Sequence, residues 1–165
     1  MSQALRRLRP LLFFVLLCLA VGWVGGLTTE AAIATWYRAL AKPSWTPPEL
    51  AFPIAWTILY VLMGVAAGLV WRSRHRGRFA AIGLFLIQLA VNALWSPVFF
   101  GLHAPGGGLI VILLLLACVA ATVVAFFPIS RTAGWLLLPY LLWVGYATTL
   151  NIGIYLLNPS SPASQ

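Results

Sequence analysis

Long apolar runs make up most of this 165-residue sequence, and no lysine, arginine or histidine lies well inside any of them. Backbone in hydrocarbon must satisfy its own polar groups, so such runs are restricted to helices or closed barrels, and their length suits helices. With 62% hydrophobic residues, 7% charged residues and a mean hydropathy of +1.00, the chain falls far from soluble domains, in which roughly a quarter of residues are charged. The expected fold is an all-α integral membrane protein, one five-helix bundle. Its spans should fall at about 10–28, 47–71, 79–101, 108–127 and 135–157. Little length is left over for a soluble domain.

The net charge of +8 would suit nucleic acid, but the cations sit in the connections, where a bilayer explains them better. Arg6, Arg7, Arg9, Arg72, Arg74, Arg76, Arg78 and Arg131 share one side, against Arg38 and Lys42 on the other, offset by Glu30 and Glu49. The positive-inside rule then predicts a cytoplasmic N-terminus and an outer C-terminus. Residues 1–28 also carry features of a signal peptide, with Ala32-Ile33-Ala34 as a cleavage candidate. However, the apolar run exceeds the usual h-region of roughly 7–15 residues and the cleavage candidate lies far beyond its end, which favours a retained span.

Between the first two runs lies the stretch WYRALAKPSWTPPELAFPIAW, Trp36 to Trp56. Pro43, Pro47, Pro48 and Pro53 deny it a continuous helix and stiffen it. Thr46-Pro47-Pro48-Glu49 has the form of a capping box with proline at the first helical position, which predicts a helix starting at Thr46. Trp36, Tyr37, Trp45, Phe52 and Trp56 crowd rings onto this stiff segment. An interfacial aromatic belt would explain single rings; a platform for a flat ligand would also explain the prolines and the clustering.

Three later faces are polar or aromatic at helical spacing. Phe52, Trp56, Tyr60, Met63 and Ala67 share one in the second run, where Gly64 and Gly68 would let another helix approach. Gln88, Asn92, Trp95 and Phe99 share one in the third, which ends at a turn read over His103, Pro105 and Gly106-Gly107-Gly108. Tyr140, Trp143, Ala147, Asn151 and Ile154, with Thr148 beside them, share one in the fifth. Amides are costly in hydrocarbon unless partnered, so these faces should point inward, either as interhelical hydrogen-bond glue or towards a ligand. The fourth run, polar only at Thr122, reads as a wall facing lipid or a second subunit, with Ala117 and Ala121 as a small-residue pair.

Cys18 and Cys118 read as packing residues, and His75 and His103 lie too far apart for a metal site. No hydrolytic, phosphate-loop or paired-carboxylate motif is present. A coupled or multidrug transporter is disfavoured by the lack of an ionisable group at membrane depth. The residues favour an aromatic, weakly polar cavity between helices.

Trp36-Tyr37, Lys42-Pro43-Ser44-Trp45-Thr46-Pro47-Pro48, Phe52, Trp56, Tyr60, Gln88, Asn92, Trp95, Phe99-Phe100-Gly101, Pro139-Tyr140, Trp143, Ala147-Thr148 and Asn151 together resemble the signatures of the tryptophan-rich sensory protein family, whose animal members are the translocator proteins. The resemblance covers about 36–64, 88–101 and 139–151 in order. It implies a homodimeric five-helix bundle that binds porphyrins such as protoporphyrin, with no required cofactor and no metal. Trp56, Tyr60, Asn92, Trp95, Trp143 and Ala147 would line the pocket, and Trp36, Trp45 and Pro47 would belong to a lid. Tyr37, Pro43, Ser96, Phe99 and Asn151 complete the candidate set. A sensing or transport role is implied. The alternative is photo-oxidative porphyrin breakdown, for which Trp36 and Trp143 would be the reactive residues. The sterol motif of animal members is missing, because no cation follows Tyr155 in LLNPSSPASQ. That fits a bacterial member in an inner membrane, with the outer membrane left open.

Overall fold

The computed structural model describes residues 3–159, and the side chains of all of these except 3–7, 28, 30, 31 and 34. The side chains of Arg6, Arg7 and Glu30 and the tail 160–165 thus lie outside the described residues. Five helices follow one another: α1 (Gln3–Ala32), α2 (Ala51–Arg72), α3 (Arg78–Ser96), α4 (Pro105–Phe126) and α5 (Arg131–Leu157). Each contains a stretch long and apolar enough to cross a bilayer, and the chain is a multi-pass membrane protein. Around the bundle the order is α1, α2, α5, α4, α3, with α3 closing the ring against α1. Leu12, Phe13 and Leu16 of α1, Ile110 and Val124 of α4 and Leu142 of α5 face outward, as expected where the solvent is hydrocarbon.

The first helix runs from Gln3 to Ala32, longer at both ends than the expected 10–28, and helix starts depart from the expectations in three further places, each for a local reason. First, α2 begins at Ala51, so Thr46 does not start it. Its Oγ1 and its N–H both donate to the Pro43 carbonyl, at 2.7 and 3.0 Å, closing a turn. Pro48 disfavours helical geometry at Pro47, and helix becomes available only beyond the pair. Pro53 is then tolerated in the first turn, where backbone donors lack helical partners. Second, the Gly106-Gly107-Gly108 triplet lies inside α4, whose first residue is Pro105. Proline suits that position, and the turn itself shrinks to 102–104, with His103 at φ 52°. Third, α5 starts at Arg131, ahead of the expected 135, because the Ser130 side chain accepts the Ala133 N–H at 3.3 Å.

Two helices end in wider π turns, at Ile33–Tyr37 after α1 and Pro97–Gly101 after α3. In the second, Pro97 lacks an N–H and its carbonyl instead accepts from Leu102, five residues on, at 2.9 Å. Such turns concentrate at functional sites. These two meet, with Tyr37 edge-on to Phe100 at 5.5 Å and Trp36 edge-on to Phe99 at 5.7 Å.

The bundle divides into a packed half and a hollow half. Away from the loop joining α1 and α2, Met63, Ala66, Ala67 and Val70 of α2, Phe85 of α3, Phe126 of α4 and Ala133 of α5 are fully buried. Here α1 and α2 touch backbone to backbone. A Cβ at Gly64 would collide with the Val15 backbone, and one at Gly68 would stand 2.7 Å from the Leu11 Cα. Towards that loop the helices part.

Candidate functional site

The hollow half encloses a cavity of about 520 Å³, within the range of small-molecule sites. Its floor is a hydrogen-bonded chain across three helices. Tyr60 Oη donates to Asn92 Oδ1 at 2.7 Å, Asn92 Nδ2 donates to Tyr140 Oη at 3.1 Å, and Tyr140 Oη donates to Gln88 Oε1 at 2.9 Å. Tyr60 and Asn92 border the cavity, whereas Tyr140 and Gln88 lie behind it. Gln88 thus serves as interhelical glue, and Asn92 is glue that also faces the cavity. Among the described residues, Gln88 Nε2 and Trp143 Nε1 are buried donors without a partner.

The walls carry rings from three helices. Trp56 stacks on Tyr60 at 5.4 Å, Trp95 stacks on Phe99 at 5.2 Å, and Phe52 meets Trp143 edge-on at 6.1 Å. Trp95 Nε1 donates to Asn151 Oδ1 at 3.3 Å, and Asn151 Nδ2 donates to the Ala147 carbonyl at 2.9 Å. These polar groups are thus held by protein, and the surface they leave is largely apolar and rich in rings.

The α1 wall was not anticipated from the sequence. Gly22, Trp23, Gly25, Gly26, Thr29 and Ile33 all border the cavity. Thr29 Oγ1 and Ser96 Oγ lie 2.6 Å apart, both within bonding distance of the Gly25 carbonyl. The signal available in the sequence is the three glycines Gly22, Gly25 and Gly26, followed by Thr29. Ile112 and Leu115 of α4 also line the cavity, so α4 is an inner wall as well as an outer one. Ala117 and Ala121 of that helix face outward.

Of the candidate residues, Tyr37, Trp56, Tyr60, Asn92, Trp95, Ser96, Phe99, Trp143, Ala147 and Asn151 line the cavity, whereas Trp36, Pro43, Trp45 and Pro47 do not. Trp36 sits behind Phe99 with its indole stacked on His103 at 4.7 Å. Of the two tryptophans assigned to photo-oxidative breakdown, only Trp143 reaches the cavity. The other three belong to the loop 38–50, which is tied to α5. The Pro43 ring rests on Gly153, where a Cβ would strike it, and Tyr146 Oη donates to the Trp45 carbonyl at 2.7 Å. Tyr37 and Glu49, at the two ends of this loop, border the cavity. Burial first, then the Glu49 carboxylate and Tyr146, raises the Tyr37 hydroxyl above its ordinary pKa, so this lip presents a neutral phenol. Arg38 Nη2 reaches Glu49 Oε2 at 3.3 Å across the loop.

The TspO/MBR family profile matches residues 14–157. The chain is 40% identical over 144 residues to protein CrtK of Rhodobacter capsulatus, covering 86% of this chain and 88% of that one. It is 41% identical over 145 residues to tryptophan-rich protein TspO of Chlorobaculum tepidum, covering 87% and 92%. It is 37% identical over 136 residues to the human translocator protein, covering 81% and 80%. With a family match spanning all five helices and relatives this similar over most of their length, the chain belongs to the TspO/MBR family.

Proposed function

We propose that this membrane protein is a receptor or carrier for porphyrins and similarly flat, apolar tetrapyrroles, held in the cavity of the hollow half with the loop 38–50 as its lid. The observation carrying this reading is the cavity itself: about 520 Å³, walled by stacked rings, floored by Tyr60 and Asn92, and with its amide groups already engaged by protein partners. A surface of that kind offers ring stacking over a large area and asks few hydrogen bonds of the ligand. Relatives named as sensory and translocator proteins support a receptor role in the membrane.

Titration of the purified protein with protoporphyrin should quench tryptophan fluorescence to saturation. Trp143→Ala or Trp56→Ala should each weaken binding by about 1–3 kcal/mol, the usual loss for a buried aromatic anchor. Unsaturable quenching, or affinity untouched by both substitutions, overturns the reading. The proposal includes a homodimer and a cytoplasmic N-terminus. Cross-linking in membranes tests the first, and labelling of cysteines placed in the loops from either side tests the second.

A further inference from the structure

We propose that the ligand reaches the cavity from within the bilayer, through a lateral portal between α1 and the start of α2, and not from water through the loop. This rests on the reading that the cavity binds a ligand, and it narrows the class to molecules that partition into acyl chains. Among the cavity-lining residues only Trp23, Glu49, Pro53 and Thr57 are exposed. Trp23, which is 70% exposed, belongs to the apolar stretch Leu8–Leu27, and Pro53 and Thr57 belong to Ala51–Arg72. Their exposure is therefore to lipid.

The helices are shaped for such a gap. Below the cavity, Gly64 and Gly68 bring α2 against the α1 backbone, and the Tyr60 ring packs onto Gly22. Beyond that contact α1 presents Gly25 and Gly26, and nothing stands within 4 Å of where a Gly26 Cβ would be. The opposite lip is chemically quiet: Pro53 has no N–H to satisfy, and Thr57 Oγ1 donates to the Pro53 carbonyl at 2.8 Å. A ligand crossing it meets no unpaired polar group, so passage from hydrocarbon carries little desolvation cost. The aqueous alternative is fastened. Glu49 is engaged by Arg38, and the loop is tied to α5 through Ala41, Pro43 and Trp45.

The test uses the full chain in phosphatidylcholine vesicles, with Ala93→Cys as a reporter on the cavity wall. N-dodecylmaleimide, confined to the bilayer, should label it above the background of Cys18 and Cys118 seen in the unsubstituted protein. A sulfonated, membrane-impermeant maleimide added to either side should not. Gly26→Trp, whose Cβ would meet nothing within 4 Å, and separately Thr57→Trp on the other lip, should slow the bilayer reagent by about an order of magnitude. Either should also slow protoporphyrin association and dissociation together, because a plug raises one barrier in both directions. Faster labelling from water, no labelling from the bilayer, or indifference to both plugs overturns the portal. Labelling reads the portal without any pigment. A protein that fails to bind protoporphyrin but is labelled from lipid and blocked by the plugs would therefore overturn the ligand reading while leaving the portal standing.

Discussion

The side-chain amide of Asn158 pairs with both backbone polar groups of Ala41: its Nδ2 donates to the Ala41 carbonyl at 2.9 Å, and the Ala41 N–H donates to its Oδ1 at 3.0 Å. An asparagine just past the end of α5 thus completes the backbone bonding of a loop that proline keeps out of regular structure. Nδ2 also donates to the Ile154 carbonyl at 2.8 Å, which holds the amide in register with its own helix. The clamp helps fix where the loop lies, because it ties the loop backbone to the end of α5.

Asn158→Ala should therefore loosen the loop without unfolding the bundle. Of the three hydrogen bonds lost, the two to Ala41, of about 0.5–1.5 kcal/mol each, hold the loop, and the Ala41 backbone is left to water. The expected result is Ala41 amide exchange faster by roughly 5–100-fold and quicker proteolysis within 38–50, with the thermal midpoint of the helices little changed. Unaltered exchange at Ala41 would mean that Pro43 and Tyr146 hold the loop alone.

The floor of the cavity should behave as one unit. Asn92→Leu strips Tyr60 of its acceptor and Tyr140 of a donor, while Tyr60→Phe removes only the first bond. Each single change should destabilise the fold by about 1–2 kcal/mol in detergent. The double variant should fall short of their sum by about 0.5–1.5 kcal/mol, within the span measured for side-chain bonds in membrane proteins. Strict additivity in a double-mutant cycle would show that the Tyr60 and Asn92 side chains do not share a bond in solution.

Much of this arrangement is legible in the sequence, and the parts that are not share a physical cause. The faces of α2, α3 and α5 announce themselves because rings and amides recur with the helical period, and a hydrocarbon solvent forces such faces inward. The α1 wall escapes that signal because its contribution is missing side chains at Gly22, Gly25 and Gly26, which hydropathy does not register. The loop's fastening escapes it as well, since Ala41 and Asn158 lie 117 residues apart and nothing local marks them as partners. The start of α2 at Ala51 escapes it for a different reason: the spacing of Thr46 and Glu49 satisfies a capping box, but the two prolines between them do not allow a helix to begin there. The same interrupted backbone leaves Trp45 and Pro47 on the outside of the loop, so a stretch dense in aromatic rings delivers fewer of them to the cavity than its composition suggests.

The glycines of α2 separate close approach from incidental placement. At Gly64 an added methyl meets the Val15 backbone, which cannot rotate aside, whereas at Gly145 of α5 it meets nothing within 4 Å. Gly64→Ala should destabilise by about 1–3 kcal/mol through the displaced helix. Gly145→Ala should be neutral or stabilise by up to about 1 kcal/mol through helix propensity. Thermal or denaturant unfolding in one detergent compares the two directly, and equal effects would show that α1 and α2 are not in backbone contact.

The tryptophans should sort by position and not by membership of the aromatic-rich stretch. Trp56 and Trp143 border the cavity, whereas Trp45 is 54% exposed on the loop and Trp36 lies behind Phe99 against His103. A ligand stacked in the cavity loses an anchor only when one of the first pair is truncated, with the loss of about 1–3 kcal/mol expected for buried aromatics. Trp45→Ala should change affinity by less than about 0.5 kcal/mol, as for a rim residue. Trp36→Ala should act only through Phe99, so Trp36→Phe, which keeps a ring against Phe99, should restore most of any affinity lost. Protoporphyrin titrations of the four alanine variants and Trp36→Phe read this out, followed by the absorbance of the bound pigment because each variant removes part of the tryptophan signal. A larger loss at Trp45 than at Trp143 would move the binding surface out of the bundle and onto the loop.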